Sequence, residues 1–300
     1  MVATEQVLHK VLDRHRFWLE KREGGERADL SGLTLNEQKL ERANLSRASL
    51  VGTYLLEADL SGSDLSGALL TNCDLRKALL GSADLTGADL SGAALDMVWL
   101  AEANLCEARL VNTMLRKGFL RGARFLDALI DSCDLSLSQG DKVAFHQARL
   151  TNAQFREFES TGAQFYQARI QMCRFSSAKL DEANFGGARV LDCDFRRADL
   201  TDSRFAKADL SRSDFGRATL PGCDFREANL KGANFSEANL AGSRFGGAIL
   251  FTTDLRGANL RGARELTQDQ LGKALTDDTT ILPNGSSGPF MRLSGAERPR

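Results

Sequence analysis

Three histidines, His9, His15 and His146, and many carboxylates are the residues of this chain suited to proton transfer. Acid–base catalysis needs two such groups converging on one reacting atom. Here Asp59, Asp64, Asp84, Asp89, Asp199, Asp209 and Asp214 recur at multiples of five residues. That spread reads as a solvated surface rather than a paired site. His15 lies three residues before Trp18 in an amphipathic stretch, and packing beside that ring is favoured over catalysis. No HExxH, GxSxG, Walker-type loop or GxGxxG in a βαβ setting occurs. The cysteines Cys73, Cys106, Cys133, Cys173, Cys193 and Cys223 form no CxxC pair, and six are too few for a disulfide scaffold. The expectation is a protein that is not an enzyme, with no catalytic residues, no cofactor and no metal.

The chain has 300 residues, with 39 Lys+Arg against 40 Asp+Glu and a net charge of −1. With a pI near 6.4, a non-specific nucleic-acid binder is disfavoured, and no direct nucleic-acid partner is expected. No run of about 18 apolar residues exists, so no membrane span is expected. The first ten residues lack a basic segment followed by an apolar core, so no signal peptide is readable. The location this suggests is cytoplasmic, where thiols stay reduced.

The elements that would position side chains follow from a repeat. Of the 47 positions divisible by five from Leu30 to Leu260, 45 are Leu, Phe, Ile or Val; only Gly140 and Ser160 break the series. Two residues earlier, 42 of 47 are Ala, Ser, Thr, Cys or Gly, the exceptions being Leu33, Gln38, Val98, Val143 and Phe158. Period five fits neither a helix nor a strand alternation. It requires a backbone that turns a corner every five residues, so that four corners close a 20-residue square and coils stack. The bulky residue and the small one both point inward. At about 4.8 Å per coil, about 12 coils make a rod of roughly 55 Å. From Phe145 to Phe245 the central residue is Phe at every second repeat, which places Phe on two opposite walls. Cys73, Cys133, Cys173 and Cys193 differ by multiples of 20 and fall on one interior ladder, with Cys106 pointing outward. Packed thiols, a disulfide and a metal ladder are the readings open there.

With windows such as Ala83-Asp84-Leu85-Thr86-Gly87-Ala88-Asp89-Leu90, residues 28–262 resemble the pentapeptide-repeat family, whose units read Ala-(Asp/Asn)-Leu-X-X. The resemblance implies an all-β solenoid, a right-handed quadrilateral β-helix. The domain reading is a capping helix in 1–27, the β-helix over 28–264, a C-terminal cap and extended segment in 265–283, and a flexible tail in 284–300. In the first of these, residues 4–22 read as an amphipathic helix with Thr4 as N-cap and Gly24-Gly25 as its stop. Thr267 to Gln270 match a capping box. Residues 136–141 read like a loop. Phe158 and Ser160 read either as a size swap that refills one volume or as a kink.

Two surface stripes remain. Leu79, Trp99 and Phe119 occupy the usually polar position in three successive coils, and Tyr54, Met114, Leu69 and Leu129 break the same rule on neighbouring walls. Either these face a partner, or the N-terminal helix or the 136–141 segment covers them. Arg149, Arg169 and Arg189 form the second stripe, open to an acidic partner or simply a charged face flanked by Asp192 and Asp209. These residues are the expected binding surface of a scaffold or adaptor whose protein partner is unidentified. The segment His15-Arg16-Phe17-Trp18-Leu19, followed by Gly24-Gly25 and Arg27-Ala28-Asp29-Leu30, resembles the leader of members associated with bacterial type VI secretion. That resemblance implies an accessory role there. Other members bind type II topoisomerases by mimicking DNA. A net charge of −1 and the arginine stripe make that alternative less favoured, since duplex phosphates present one charge per about 1.7 Å.

Overall fold

The computed structural model describes residues 5–299. The expected N-cap, Thr4, lies outside the described residues. The chain divides into two compact units, Met1–Arg149 and Leu150–Arg300. Each is a four-sided parallel β-solenoid in which residues 20 apart pair. In the first, Leu79 pairs with Trp99 and Trp99 with Phe119; in the second, Asp199 pairs with Thr219 and Thr219 with Asn239. Three-residue strands form at five places: β1 (Arg109–Val111), β2 (Leu129–Asp131), β3 (Arg149–Thr151), β4 (Arg169–Gln171) and β5 (Arg189–Leu191). β1 pairs with β2 and β4 with β5, all parallel.

The five-residue period is a hydrogen-bonding unit. The amide of each central residue donates to the carbonyl 19 positions on, as from Leu85 to Asn104 at 2.7 Å, and each corner closes by a bond three residues back, as from Ala88 to Leu85 at 3.0 Å. The second corner residue takes positive φ in most repeats, Lys77 at 57° and Glu182 at 57° among them. The wall carboxylates are part of this machinery. Asp84 Oδ1 accepts the Thr86 amide at 3.0 Å, and Asp59, Asp64 and Asp199 accept the amide two residues on in the same way. The acidic residue before each central Leu or Phe therefore caps its corner.

The central side chains and the small residues two positions earlier are buried along both units. In the second unit the Phe columns pack as stacks along each wall and edge-on across the coil. Phe165 and Phe185 stack at 4.6 Å with 5° between rings, and Phe185 meets Phe195 at 5.9 Å and 85°. Small polar residues on the inner ladder donate to a carbonyl one coil below. Thr113 Oγ1 reaches Leu90 O at 3.0 Å and Ser213 Oγ reaches Val190 O at 3.0 Å.

Residues 136–141 are not a loop. Gln139 pairs with Phe119, and Gly122 N donates to Asp141 O at 3.0 Å. A Cβ on Gly140 would lie 2.4 Å from Arg121 N and 2.5 Å from Leu120 C, so the backbones approach too closely there for any side chain. Nor does the second anomaly form a kink. Lys179 N donates to Phe158 O at 2.8 Å and Ser160 N to Lys179 O at 2.9 Å. Phe158 is fully buried, edge-on to Phe155 at 5.3 Å, and fills the room that a large residue at 160 would take. Ser160 is buried with its hydroxyl unpartnered. Ser160→Ala is therefore expected to raise stability by about 1 kcal/mol, since it removes an unpaired buried polar atom. Restoring the consensus with Ser160→Leu is expected to cost about 2 kcal/mol through overpacking. Chemical denaturation of the two variants checks both signs.

The first unit is closed by α1 (Glu5–Leu19). Buried His15 docks it: Nδ1 accepts the Ala28 amide at 3.0 Å, so Nε2–H donates to Ser46 O at 3.0 Å. The ring stacks on Trp18 at 5.5 Å. The second unit is closed by α2 (Gln268–Leu271), whose capping box between Thr267 and Gln270 is formed. Gln270 Nε2 also donates to Phe245 O and Ala248 O at 2.8 and 2.9 Å, satisfying carbonyls of an otherwise open coil end. Leu275 and Ile281 then pair parallel with Asp254 and Asn259. Residues 284–299, read from the sequence as a tail, fold back on this cap. Asn284 N donates to Ala296 O, Phe290 N to Thr276 Oγ1 and Gln268 Nε2 to Glu297 Oε1.

Candidate interaction surface

The titratable groups do not assemble into a reactive site among the described residues. The cysteines are free, and burial pushes the Cys73 thiol up to about 12 and the Cys133 thiol to about 11. The hydrogen bond with Cys173 and burial push Cys193 upward as well, the state of packed, unreactive thiols. No group of three or more His, Cys, Asp or Glu side chains could hold a metal ion among the described residues. No described helix is long and apolar enough to cross a membrane. A surface recess of about 580 Å³ in the second unit is lined by Arg196, Arg197, Arg217 and Glu237. Two of its arginines are already closed: Arg196 grips Asp194 at 2.9 and 2.8 Å, and Arg217 grips Glu237 at 2.9 and 3.0 Å.

The apolar stripe is different. Leu79, Trp99 and Phe119 stand in register on one wall of the first unit and remain 42%, 45% and 37% exposed. The Trp99 and Phe119 rings lie 5.4 Å apart, tilted by 34°. Trp99 is held over Gly81, where an added Cβ would come within 3.3 Å of the indole. Neither proposed cover reaches it. α1 is anchored to Ala28 and Ser46, and residues 136–141 continue the coil.

On the neighbouring wall Tyr54 and Met114 are also exposed, three rungs apart with Asp74 and Ala94 between them, so they flank the stripe without joining each other. Leu69 and Leu129 sit on a further wall and do not extend it. Two members were missed by sequence reading, Met97 and Leu137, exposed at the corners between the Met114 and Trp99 walls. Their signal was an apolar residue at the positive-φ corner position, where Gly, Asn or a charged residue is usual here.

Three ion pairs lie along this corner, while exposed Lys117, between Met97 and Leu137, is in none of them. Arg76 pairs with Asp74, Lys77 with Glu57 and Arg116 with Asp96, at 2.6 to 2.9 Å. The guanidinium groups beside Asp74 and Asp96 hold both carboxyls below the usual range. The surface presented is thus apolar side chains framed by paired charges and the cation of Lys117.

Of the arginine stripe, Arg169 and Arg189 face each other directly as partners on β4 and β5, both exposed. Arg149 opens β3 as the last residue of the first unit, also exposed, its amide bonded to Ala128 O.

Eight copies of the pentapeptide-repeat model match, over residues 28–67, 63–96, 145–181, 161–190, 178–217, 193–232, 208–247 and 228–264. The chain belongs to the pentapeptide-repeat family. Membership carries the right-handed quadrilateral β-helix expected from the resemblance. Among solved structures, this pentapeptide-repeat chain is similar to HetL, a pentapeptide-repeat protein involved in heterocyst differentiation regulation in the cyanobacterium Nostoc. The identity is 28%, over 91% of this chain and 96% of that one, with a TM-score of 0.36. It is also similar to QnrB1, a plasmid-mediated fluoroquinolone resistance protein, at 19% identity over 67% and 88% of the two chains, with a TM-score of 0.34. A pentapeptide-repeat protein of the Arabidopsis thaliana thylakoid lumen is 36% identical over 34% of this chain and 63% of its own length, with a TM-score of 0.16. A search of curated proteins found no match.

Proposed function

We propose that this protein is a non-enzymatic binding scaffold that docks a partner protein on the Leu79–Trp99–Phe119 wall of its first unit. One observation carries the reading. At these three rungs the capping Asp of the repeat is replaced by large apolar side chains that face solvent in register. Giving up a corner cap at three successive coils to expose apolar surface costs stability in the free protein, and a covering partner recovers it. Trp99, at the centre of the stripe, is the anchor. A cytoplasmic adaptor role, as an accessory of bacterial type VI secretion, is the finer form of this proposal; its support is the N-terminal resemblance and the cysteine usage. The topoisomerase-binding alternative has less support, because the net charge is −1 and the arginine wall carries the sign opposite to phosphate.

Trp99→Glu is expected to weaken partner capture from a bacterial lysate by about 30-fold or more, the cost of losing an aromatic anchor. Its circular dichroism should stay unchanged, because the side chain packs on the outside. Unchanged capture by both Trp99→Glu and Leu79→Glu would remove this wall from the reading.

A further inference from the structure

Arg169 and Arg189 are directly opposite on adjacent parallel rungs, which places their Cα atoms about 4.8 Å apart. Like charges in that relation destabilise a sheet unless a counter-charge is supplied. Elsewhere in the second unit cations facing a neighbouring rung are commonly answered, as Lys179 is by Glu159 and Arg212 by Asp192. Among the described residues neither Arg169 nor Arg189 makes an ion pair.

The two nearby carboxylates are engaged with other partners, Asp209 through one oxygen and Asp192 through both. Asp209, next to Arg189 on the same wall, turns Oδ1 to Ser211 N at 3.2 Å, Ser211 Oγ at 2.7 Å and Asn229 Nδ2 at 2.9 Å. Asp192 accepts both arms of Arg212 at 2.8 and 2.7 Å. The result is a pair of stacked guanidinium groups that form no ion pair among the described residues, with the Asp209 carboxylate on the next rung beside Arg189.

Its surroundings narrow the occupant. Tyr166 and Met172, both largely exposed, stand at the corners before and after Arg169. Tyr166 lies against Gly186, where an added Cβ would be 3.4 Å from the ring. One rung on, Gly186 and Gly187 carry no side chain beside Arg189, and the Tyr166 ring and the Gln167 side chain lie over them. A double cation bordered by apolar groups complements carboxylates bordered by apolar side chains. A long polyanion fits less well, because Asp192 and Asp209 lie beside the pair and would repel further phosphates.

We propose that the Arg169–Arg189 wall is a docking site for an acidic segment of a partner protein, one carrying at least two carboxylates flanked by apolar residues. This site does not depend on the apolar wall of the first unit, and either can fail alone.

The test is fluorescence anisotropy of the full chain with three labelled probes: a dodecapeptide with a central Glu run between leucines, the same peptide with Gln for Glu, and a single-stranded DNA 20-mer. The Glu peptide is expected to bind saturably and more weakly as salt rises. The Arg169→Gln/Arg189→Gln double variant should lose at least about tenfold in affinity, while Arg261→Gln should lose none. The double variant should melt no lower than wild type, because repulsion has been removed; a structural pair would instead lower the melting temperature. The proposal is overturned by an absence of binding, by equal binding of the Gln peptide or of the double variant, or by DNA binding as tightly as the Glu peptide.

Discussion

Phe185→Ala is expected to be the most damaging single change in the second unit, costing about 4 kcal/mol. Its ring is fully buried between Phe165 at 4.6 Å and Phe205 at 5.1 Å, and it meets Phe175 and Phe195 edge-on at 6.5 and 5.9 Å. Truncation loses the transfer free energy of a phenyl ring and leaves a cavity that cannot collapse. The coil-to-coil hydrogen bonds on either side, Phe185 N to Arg204 O and Phe165 N to Asn184 O, both at 2.7 Å, hold the rung spacing fixed. In a solenoid each coil contacts only its neighbours, so one weak interface lowers the cooperativity of the whole stack. The melting temperature of the second unit should fall by about 8–16 °C. Phe185→Leu should cost only about 1 kcal/mol, because four successive coils of the first unit close on Leu45, Leu65, Leu85 and Leu105 before Phe125 and Phe145 take the same column. Thermal unfolding of the two variants decides the matter. Equal losses for Ala and Leu would mean that ring stacking, rather than filled volume, holds these coils together.

The square coil was legible because its inward side chains are chosen by volume, and volume shows in residue type. Phe165 and Phe185 could be placed on one wall from spacing alone. The corners were not legible. Positive φ at the second corner position is met by Gly, Asn, Lys, Glu and Arg alike, because a non-Gly residue there costs only about 1–2 kcal/mol, so composition carries little trace of it. The capping role of Asp84 and its equivalents was missed for a related reason: a carboxylate facing water and a carboxylate bonded to an amide two residues on look the same in sequence. Gly140 was misread because a gap in the core usually means a loop; here it marks a backbone approach that leaves no room for a Cβ. Whether Trp99 is covered depends on where α1 docks, and that is set by His15 reaching Ser46, a contact across 31 residues that no periodicity encodes.

That contact makes the cap of the first unit sensitive to acid. His15 must be neutral. Nδ1 accepts from the Ala28 amide, and a second ring proton would set two donors against each other at 3.0 Å. Burial lowers its pKa below the ordinary 6.5; the Ser46 carbonyl pulls the other way, Arg27 adds to the lowering and Asp64 opposes it. When α1 is undocked the imidazole regains its ordinary affinity for protons, so that state binds more protons just below pH 6.5. Docking is thus fully present above pH 6.5 and is lost as pH falls from there through the lowered native value. The expected result is a loosening of α1 on mild acidification, read as a shift in Trp18 emission and faster exchange of the Ala28 amide, in a Trp99→Phe background that leaves Trp18 as the one indole. His146 also has its pKa lowered by burial, so His146→Gln is the control that should leave the transition in place. His15→Ala should cost about 3 kcal/mol of docking at pH 8, because it leaves Ala28 N–H and Ser46 O unpaired and a gap beside Trp18, and it should abolish the pH dependence. A transition that survives in His15→Ala would assign the acid response to some other group and leave His15 as packing alone.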